Sequence, residues 1–388
     1  MNAPSAPTAP RARRHRLRAA IVTILALVAA CTSAKPAPKA PLGPQLVRLD
    51  PAACREVLRD DSSLETLQHA AVRSGAYFTE DAPPSTSFFG RPLLRNNLAA
   101  IASTAAEATS LEVFAGTLCD RVAVYRVELK DPLQVTGYVE APIAARRQPG
   151  NGYSYAIYEP PTDLVELDVS AICPNCEQRL AQGRLAGSRV TPYYSRAEIE
   201  AGAIAGQDYE LAWLDDPVDA LLLELRGSGV LQFEDGTRMN LAYASSNGRS
   251  ASDPLAMLAG SGQPADFAAL RAHLRARPEE AAAVLRARER VVFFGVAPVG
   301  PVGSIGTPIT AGRTVAADPR IYPRGLLAFV RSGATERDAP QLSRFVFVQD
   351  DQPGLRGAER LGLFAGEDPS AELAQLRGNA ELYVILPE

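Results

Sequence analysis

The chain has 388 residues, a formal net charge of −4, 46% hydrophobic residues and 22% charged residues. That composition supplies an ordinary globular core and excludes a disordered or low-complexity body. The acidic balance argues against nucleic acid as a partner, because that role needs a basic patch.

Arg11, Arg13, Arg14, Arg16 and Arg18 stand in the first eighteen residues with no acid among them. The apolar run AAIVTILALVAA, residues 19–30, follows and ends at Cys31. A basic stretch, a short apolar stretch and a small-residue cleavage site make a secretory signal. The run is too short to span a bilayer, which takes about 20 residues. Val28-Ala29-Ala30-Cys31 resembles a lipobox, whose cysteine carries lipid, so residues 1–30 are expected to be a lipoprotein signal peptide. Residues 31–45 hold the Pro-rich TSAKPAPKAPLGP and read as a tether. Thr32, in place of Asp at the second mature position, resembles outer-membrane sorting. The expectation is an outer-membrane lipoprotein facing the periplasm, where no ATP-dependent chemistry is available. Removing the signal leaves roughly 350 residues of still more acidic character, enough for one large or two ordinary domains.

Residues 50–75 and 93–123 carry apolar residues at helical spacing, with Leu94, Leu98, Ile101 and Leu111 as examples. From about residue 122 the chain turns to short strand-like runs: VAVYRVEL, LQVTGYVE, YSYAIYE and DLVELDVS. ALLLELRGSGVLQFEDGTRMNLAYAS reads as two strands joined at Glu234-Asp235-Gly236-Thr237, since Asp-Gly is a strong hairpin signal. Residues 264–290 return to helix, with Pro278, Glu279 and Glu280 at a helix start and Arg286, Arg288 and Arg290 at its end. RVVFFGV, LLAFVR, RFVFVQD and ELYVILP are strands again. The pattern predicts a mainly β protein with N-terminal helices. Its layout is a smaller β-domain over 135–285, inserted in a main domain built from 46–134 and 286–388.

Four cysteines follow Cys31: Cys54, Cys119, Cys173 and Cys176. An even count in an oxidising compartment favours disulfides. A local bridge within Cys173-Pro-Asn-Cys176 and pairing with the other two are both open. Only His69 and His273 survive signal removal, both in segments that read as surface helices. A Ser-His-Asp triad or a His-rich metal centre is therefore not expected, and no cofactor or metal is called for. Carboxylates are the expected agents of any chemistry.

Six segments come in one order: VTGYVEAP (135–142), YEPPTDL (158–164), GRLAGSRVTPYYSRAEIEAG (183–202), LAWLDDPVDALLLELRGSGVLQFEDG (211–236), VVFFGVAPVGPVGSIGTPITAGRTVAADPRIYPRG (291–325) and FVFVQDDQPGLRGAERLGLFAG (345–366). Together they resemble the membrane-bound lytic murein transglycosylase A family, with its C-terminal domain of the 3D type. The resemblance covers roughly residues 130–388. It implies a double-psi β-barrel with a smaller inserted β-barrel-like domain, and a groove between them for a peptidoglycan glycan strand. It also implies cleavage of the MurNAc-GlcNAc bond without water, leaving a 1,6-anhydro ring on the muramic acid. One aspartate does the proton work in that family, and the matching run, Gln349 to Gly357, places the role on Asp350.

Residue chemistry supports that placement. Strand alternation in FVFVQD puts Val346, Val348 and Asp350 on one face, and Phe345, Phe347 and Gln349 on the other. A carboxyl at a strand end beside two valines is open to desolvation, which raises its pKa toward that of a general acid. The alternative is a turn-capping aspartate in Asp-Asp-Gln-Pro-Gly. The resemblance further carries substrate-binding roles onto Thr136, Gly137, Tyr138, Gly227, Ser228, Gly229, Asp318, Arg356 and Gly357. For Asp318 a structural role is the competing expectation. Arg313 and Arg356 are expected at the surface, within reach of acidic peptide stems. The run departs from the family at Gln352-Pro353, where two glycines are usual, and at Gly362, where a second acid is usual. These departures leave a catalytically impaired peptidoglycan-binding lipoprotein as the alternative function.

Overall fold

The computed structural model describes residues 44–169, 173, 180–250, 267–332, 341–352 and 354–387. The signal peptide, Cys31, nearly all of the tether, Cys176 and Pro353 lie outside the described residues. Strand β1 (Gln45–Arg48) leads into helices α1 (Pro51–Val57) and α2 (Leu64–Tyr77). A hairpin of β2 (Ser85–Phe88) and β3 (Arg91–Leu94) separates these from α3 (Arg95–Ala106) and α4 (Leu111–Arg121). Next come β4 (Ala123–Glu128), β5 (Leu133–Tyr138), β6 (Ile143–Ala145), β7 (Tyr155–Tyr158) and β8 (Leu164–Asp168). The chain continues through β9 (Leu180–Ala186), β10 (Arg189–Pro192), α5 (Arg196–Glu200), β11 (Glu210–Leu214) and α6 (Pro217–Arg226). Then follow β12 (Ser228–Phe233), β13 (Arg238–Ser246), α7 (Phe267–Arg275), α8 (Pro278–Ala287) and β14 (Val292–Ala297). The last part holds β15 (Thr314–Ala316), β16 (Leu327–Ser332), β17 (Leu342–Asp350), β18 (Arg360–Phe364) and β19 (Arg377–Leu386).

Six strands close on themselves in the order β5-β19-β16-β17-β15-β18 and back to β5. Two of the pairings, β15 with β17 and β18 with β5, are parallel, and the other four are antiparallel. This is the barrel expected from the sequence. Alternation along β17 divides two cores. Val346 and Val348 join Val135, Val315, Leu361, Leu363 and Val384 inside the barrel. Phe345 and Phe347 face outward with Phe329 and Ile385, under Leu67 and Ala71 of α2 and Phe114 of α4. The helical layer is therefore held by the outer face of the same strands that fill the barrel.

Local chemistry sets the helix ends. Asp50, Ser63 and Ser110 cap α1, α2 and α4 by accepting hydrogen bonds from first-turn N–H groups. The Cys54–Cys119 disulfide ties α1 to α4 across 65 residues. Cys173 is disulfide-bonded as well, so pairing of Cys173 with Cys54 or Cys119 is excluded. His69 is exposed on α2, whereas His273, on α7, is partly buried against Glu280 at 2.8 Å.

Two expectations are corrected. Leu94 is not part of a helix face: it ends β3 and is 55% exposed. ALLLELR is not a strand. It lies in α6, where Asp216 is the N-cap, Pro217 opens the first turn and Gly227 ends the helix at φ 74°. Val218, Leu221 and Leu222 are buried on one side of α6, at helical rather than alternating spacing. The hairpin at 234–237 is present, but its first strand begins only at Ser228.

Candidate active site

Asp350 ends β17 at the point where the barrel pairing shifts register between Val315 and Ala316. Gln349, on the outer face, fixes this strand end. It donates to the Ala70 carbonyl at 2.9 Å and the Ser74 hydroxyl at 3.2 Å, and accepts from Thr314. Asp350 itself turns inward. Tyr138 Oη, at the end of β5, donates to its Oδ2 at 2.8 Å, and the Ser304 N–H donates to its Oδ1 at 3.1 Å. Gly303 makes the second bond possible. A Cβ there would sit 2.4 Å from the Gln349 carbonyl oxygen, so only glycine lets this loop lie against β17.

Burial pushes the Asp350 carboxyl up to about 6, with the neighbouring Asp351 adding to the rise. The bonds from Tyr138 and Ser304 favour the anion and oppose that rise. Asp351 points elsewhere and meets Arg324 at 3.1 Å. A second carboxyl lies close by. Glu140 is 4% exposed, its Oε2 has no hydrogen-bond partner among the described residues, and burial pushes it up to about 8. Arg226 lowers it, while Asp350 and Glu367 raise it further. Near neutrality the two carboxyls together retain a proton, so the site can both give and take one.

A cavity of about 460 Å³ adjoins this pair through Gly303 and Ser304. Glu224, Arg226, Gly227, Tyr243, Arg288 and Arg290 form much of its wall. Tyr243 is 48% exposed, and such a ring can stack on a sugar face.

Comparison with known proteins bears on this geometry. The MltA-specific insert domain matches residues 134–295. The chain is 28% identical over 250 residues to the membrane-bound lytic murein transglycosylase A of Vibrio cholerae, covering 61% of this chain and 60% of that protein. It is 29% identical over 203 residues to the protein of that name from Escherichia coli K12, covering 50% and 47%. The chain carries the MltA-specific insert domain and is similar, over half of its length or more, to members of the membrane-bound lytic murein transglycosylase A family. The matches span 60% and 47% of these two relatives, less than two thirds of either. A crystal structure of the membrane-bound lytic murein transglycosylase from Agrobacterium tumefaciens superposes with a TM-score of 0.69 at 23% identity, covering 88% of this chain and 98% of that one. MltA from Neisseria gonorrhoeae gives 0.62 at 20%, covering 90% and 92%. E. coli MltA with bound chitohexaose gives 0.54 at 18%, covering 88% and 94%. These likenesses establish the MltA fold.

Of the MltA-type positions read from the sequence, Tyr138 and Asp350 are in contact and Gly227 lines the cavity. The others are placed in the frame. Thr136 and Gly137 are inside the barrel wall, opposite Gly362 and Leu363 of β18. Gly137 also lies under Leu373, and its N–H donates to the Leu376 carbonyl at 2.8 Å. Ser228 and Gly229 are buried at the start of β12, where Gly229 packs on Leu223. Asp318 is fully buried: it accepts from the Gly357 N–H at 3.0 Å and from Arg320, whose guanidinium holds it far below the usual carboxylate range. Arg356 is exposed and donates to the carbonyls of Gln352 and Leu355.

Arg313 is a correction. It is not at the surface but fully buried, donating to Asp60 at 2.5 and 2.9 Å, to Thr66 and to the Ser63 and Phe345 carbonyls. The sequence reading missed Glu140, Ser304 and Tyr243. Glu140 and Ser304 stood in segments already compared with the family, 135–142 and 291–325, but none of the three has a local pattern announcing its role.

Proposed function

We propose that this protein is a lytic transglycosylase that cleaves the MurNAc-GlcNAc bond of peptidoglycan and leaves a 1,6-anhydromuramic product. The observation that supports it most is the Asp350 carboxyl, tuned to about 6 and aimed from the barrel rim by Tyr138 and Ser304. Protonated Asp350 gives its proton to the glycosidic oxygen as that bond breaks toward an oxocarbenium-like state. The Asp350 carboxylate then takes the proton of the muramic 6-hydroxyl as its oxygen bonds to C1. Atoms balance without water, and the nucleophile needs no second protein group because the substrate already holds it in place.

Within this reading Tyr138 orients the acid and Gly227 opens the groove wall. Thr136, Gly137, Ser228, Gly229, Asp318, Arg356 and Gly357 keep the walls in register. Residues 135–285 form the inserted domain, and 46–134 with 286–388 form the main one. A lipid on Cys31 holds the body to the outer membrane facing the periplasm, and the name of the relatives, membrane-bound transglycosylases, agrees with that.

The test is incubation of the detergent-solubilised full chain with purified peptidoglycan, with anhydro products read by mass spectrometry. The unmutated protein is expected to form them, and Asp350→Asn to lower the rate by about 10²–10⁴. Absence of product from the unmutated protein sinks the enzyme and leaves the binding lipoprotein. Undiminished product from Asp350→Asn sinks the assignment of the acid.

A further inference from the structure

The proposed reaction uses Asp350 and leaves its buried neighbour Glu140 without a task. Chain pairing continues past the end of β5. The Ala365 N–H donates to the Tyr138 carbonyl at 2.7 Å, and the Glu140 N–H donates to the Gly366 carbonyl at 3.1 Å. In this extended stretch Tyr138 and Glu140, two residues apart, share a face. Tyr138 places its hydroxyl on Asp350, so the same face brings the Glu140 carboxyl toward the acid. The other charged groups around Glu140 are Arg226 at the end of α6 and Glu367 beyond β18, and Glu367 is tied to Arg238 at 2.7 Å. Arg226 also lines the cavity next to Ser304.

Glu140 is nearly fully buried, and no group among the described residues bonds its Oε2. Burial without a partner disfavours the anion, so the group is held as the acid, with an O–H to give. An apolar side chain of the same size would suit such a place better. Buried polar groups left without a partner gather at functional sites, where the partner arrives with the ligand. We infer that Glu140 is a second substrate-contacting group, which donates its carboxyl O–H to an uncharged oxygen of the sugar bound at Asp350. The inference rests on the peptidoglycan reading above. Glu140 makes and breaks no covalent bond and keeps its proton throughout, so it contributes to binding of the glycan.

Calorimetric titration of chitohexaose into the full-length Asp350→Asn chain in detergent tests it, because binding is then read without turnover. Kd is expected to rise about tenfold from pH 6 to pH 9, as Glu140 loses the proton it donates. Adding Glu140→Gln, whose amide still donates but does not titrate, retains most of the affinity at pH 6 and removes the pH dependence. Adding Glu140→Leu weakens binding about tenfold at pH 6 while raising the melting temperature, a combination that lost folding does not produce. Equal Kd values at the two pH values overturn the contact, as does Glu140→Leu binding as tightly as its parent. A pH dependence that survives Glu140→Gln also overturns it, because another group then titrates. Absence of chitohexaose binding by the Asp350→Asn chain at either pH sinks the glycan reading together with the contact. Anhydro product from the unmutated protein beside equal Kd values sinks the contact alone.

Discussion

At the scale of single residues, Asp350 is balanced between burial, which favours its acid form, and two donors, which favour its anion. The descending limb of kcat/KM is expected near pH 6, where the free acid is lost. Tyr138→Phe removes the 2.8 Å donor, so the anion loses support and the limb should move to higher pH. A limb that stays put in the pH–rate profile would show that Tyr138 does not tune the acid. Glu140 makes a different prediction. Its folded-state pKa of about 8 lies above the ordinary 4.5, so the folded chain holds a proton that the unfolded chain releases. Stability from this group is present below about pH 4.5 and is lost as pH rises toward 8. Glu140→Gln has no proton to lose, and should be stabilised over the unmutated protein at pH 8 by on the order of 1–3 kcal/mol, with little difference at pH 4.5. Thermal melts at the two pH values measure it. The burial of Asp350 was readable from alternation, because two valines share its face of the strand, whereas its expected role came from the family resemblance. Glu140 was not, because its surroundings, Arg226 and Glu367, come from distant segments.

Among elements, the loop from Gly303 to Gly306 decides whether the acid is held. A Cβ on Gly303 would meet both the Gln349 carbonyl at 2.4 Å and Ile309 at 2.5 Å. Gly303→Ala is expected to push the loop off β17, cost about 1–3 kcal/mol and lose activity beyond the loss of stability. Activity of the folded variant at low temperature, beside its melting curve, separates the two effects. The second departure from the family pattern acquires a physical account at the same scale. A Cβ at Gly362 would lie 2.8 Å from Leu355 Cδ1 and 3.2 Å from Tyr138 Cδ1. The space for a second acid is filled by an apolar side chain, so Gly362→Asp should displace Tyr138 rather than restore a lost function. The α6 segment illustrates why elements were only partly legible. A run of leucines is apolar in either conformation, and its burial against Leu270 and Leu274 of α7 is a tertiary contact that the sequence does not display.

For the whole molecule, two long-range ties hold the helical layer to the barrel and to itself. Arg313 and Asp60 are fully buried and 253 residues apart in sequence. Arg313→Met leaves an unpaired buried carboxylate and should cost about 3–5 kcal/mol. In sequence, Arg313 stands among Gly and Thr and resembles a surface residue, because its partner is far away along the chain. Replacing Cys54 and Cys119 by Ala should cost about 4 kcal/mol through the freed loop of the unfolded chain. Denaturant unfolding of each variant measures both. The barrel class was legible because short strands with clear alternation recur along the chain. The closure order was not, since parallel pairing of β15 with β17 has no local signature.

The hydrogen bond from Tyr138 to Asp350 joins residues 212 positions apart. Its consequence lies in time. Helices and the hairpin at 234–237 can form early, from neighbours, but this bond waits for distant strands to meet. A refolding chain should therefore regain its circular dichroism well before it regains a poised acid, so its half-folded forms carry secondary structure without the tuned carboxyl.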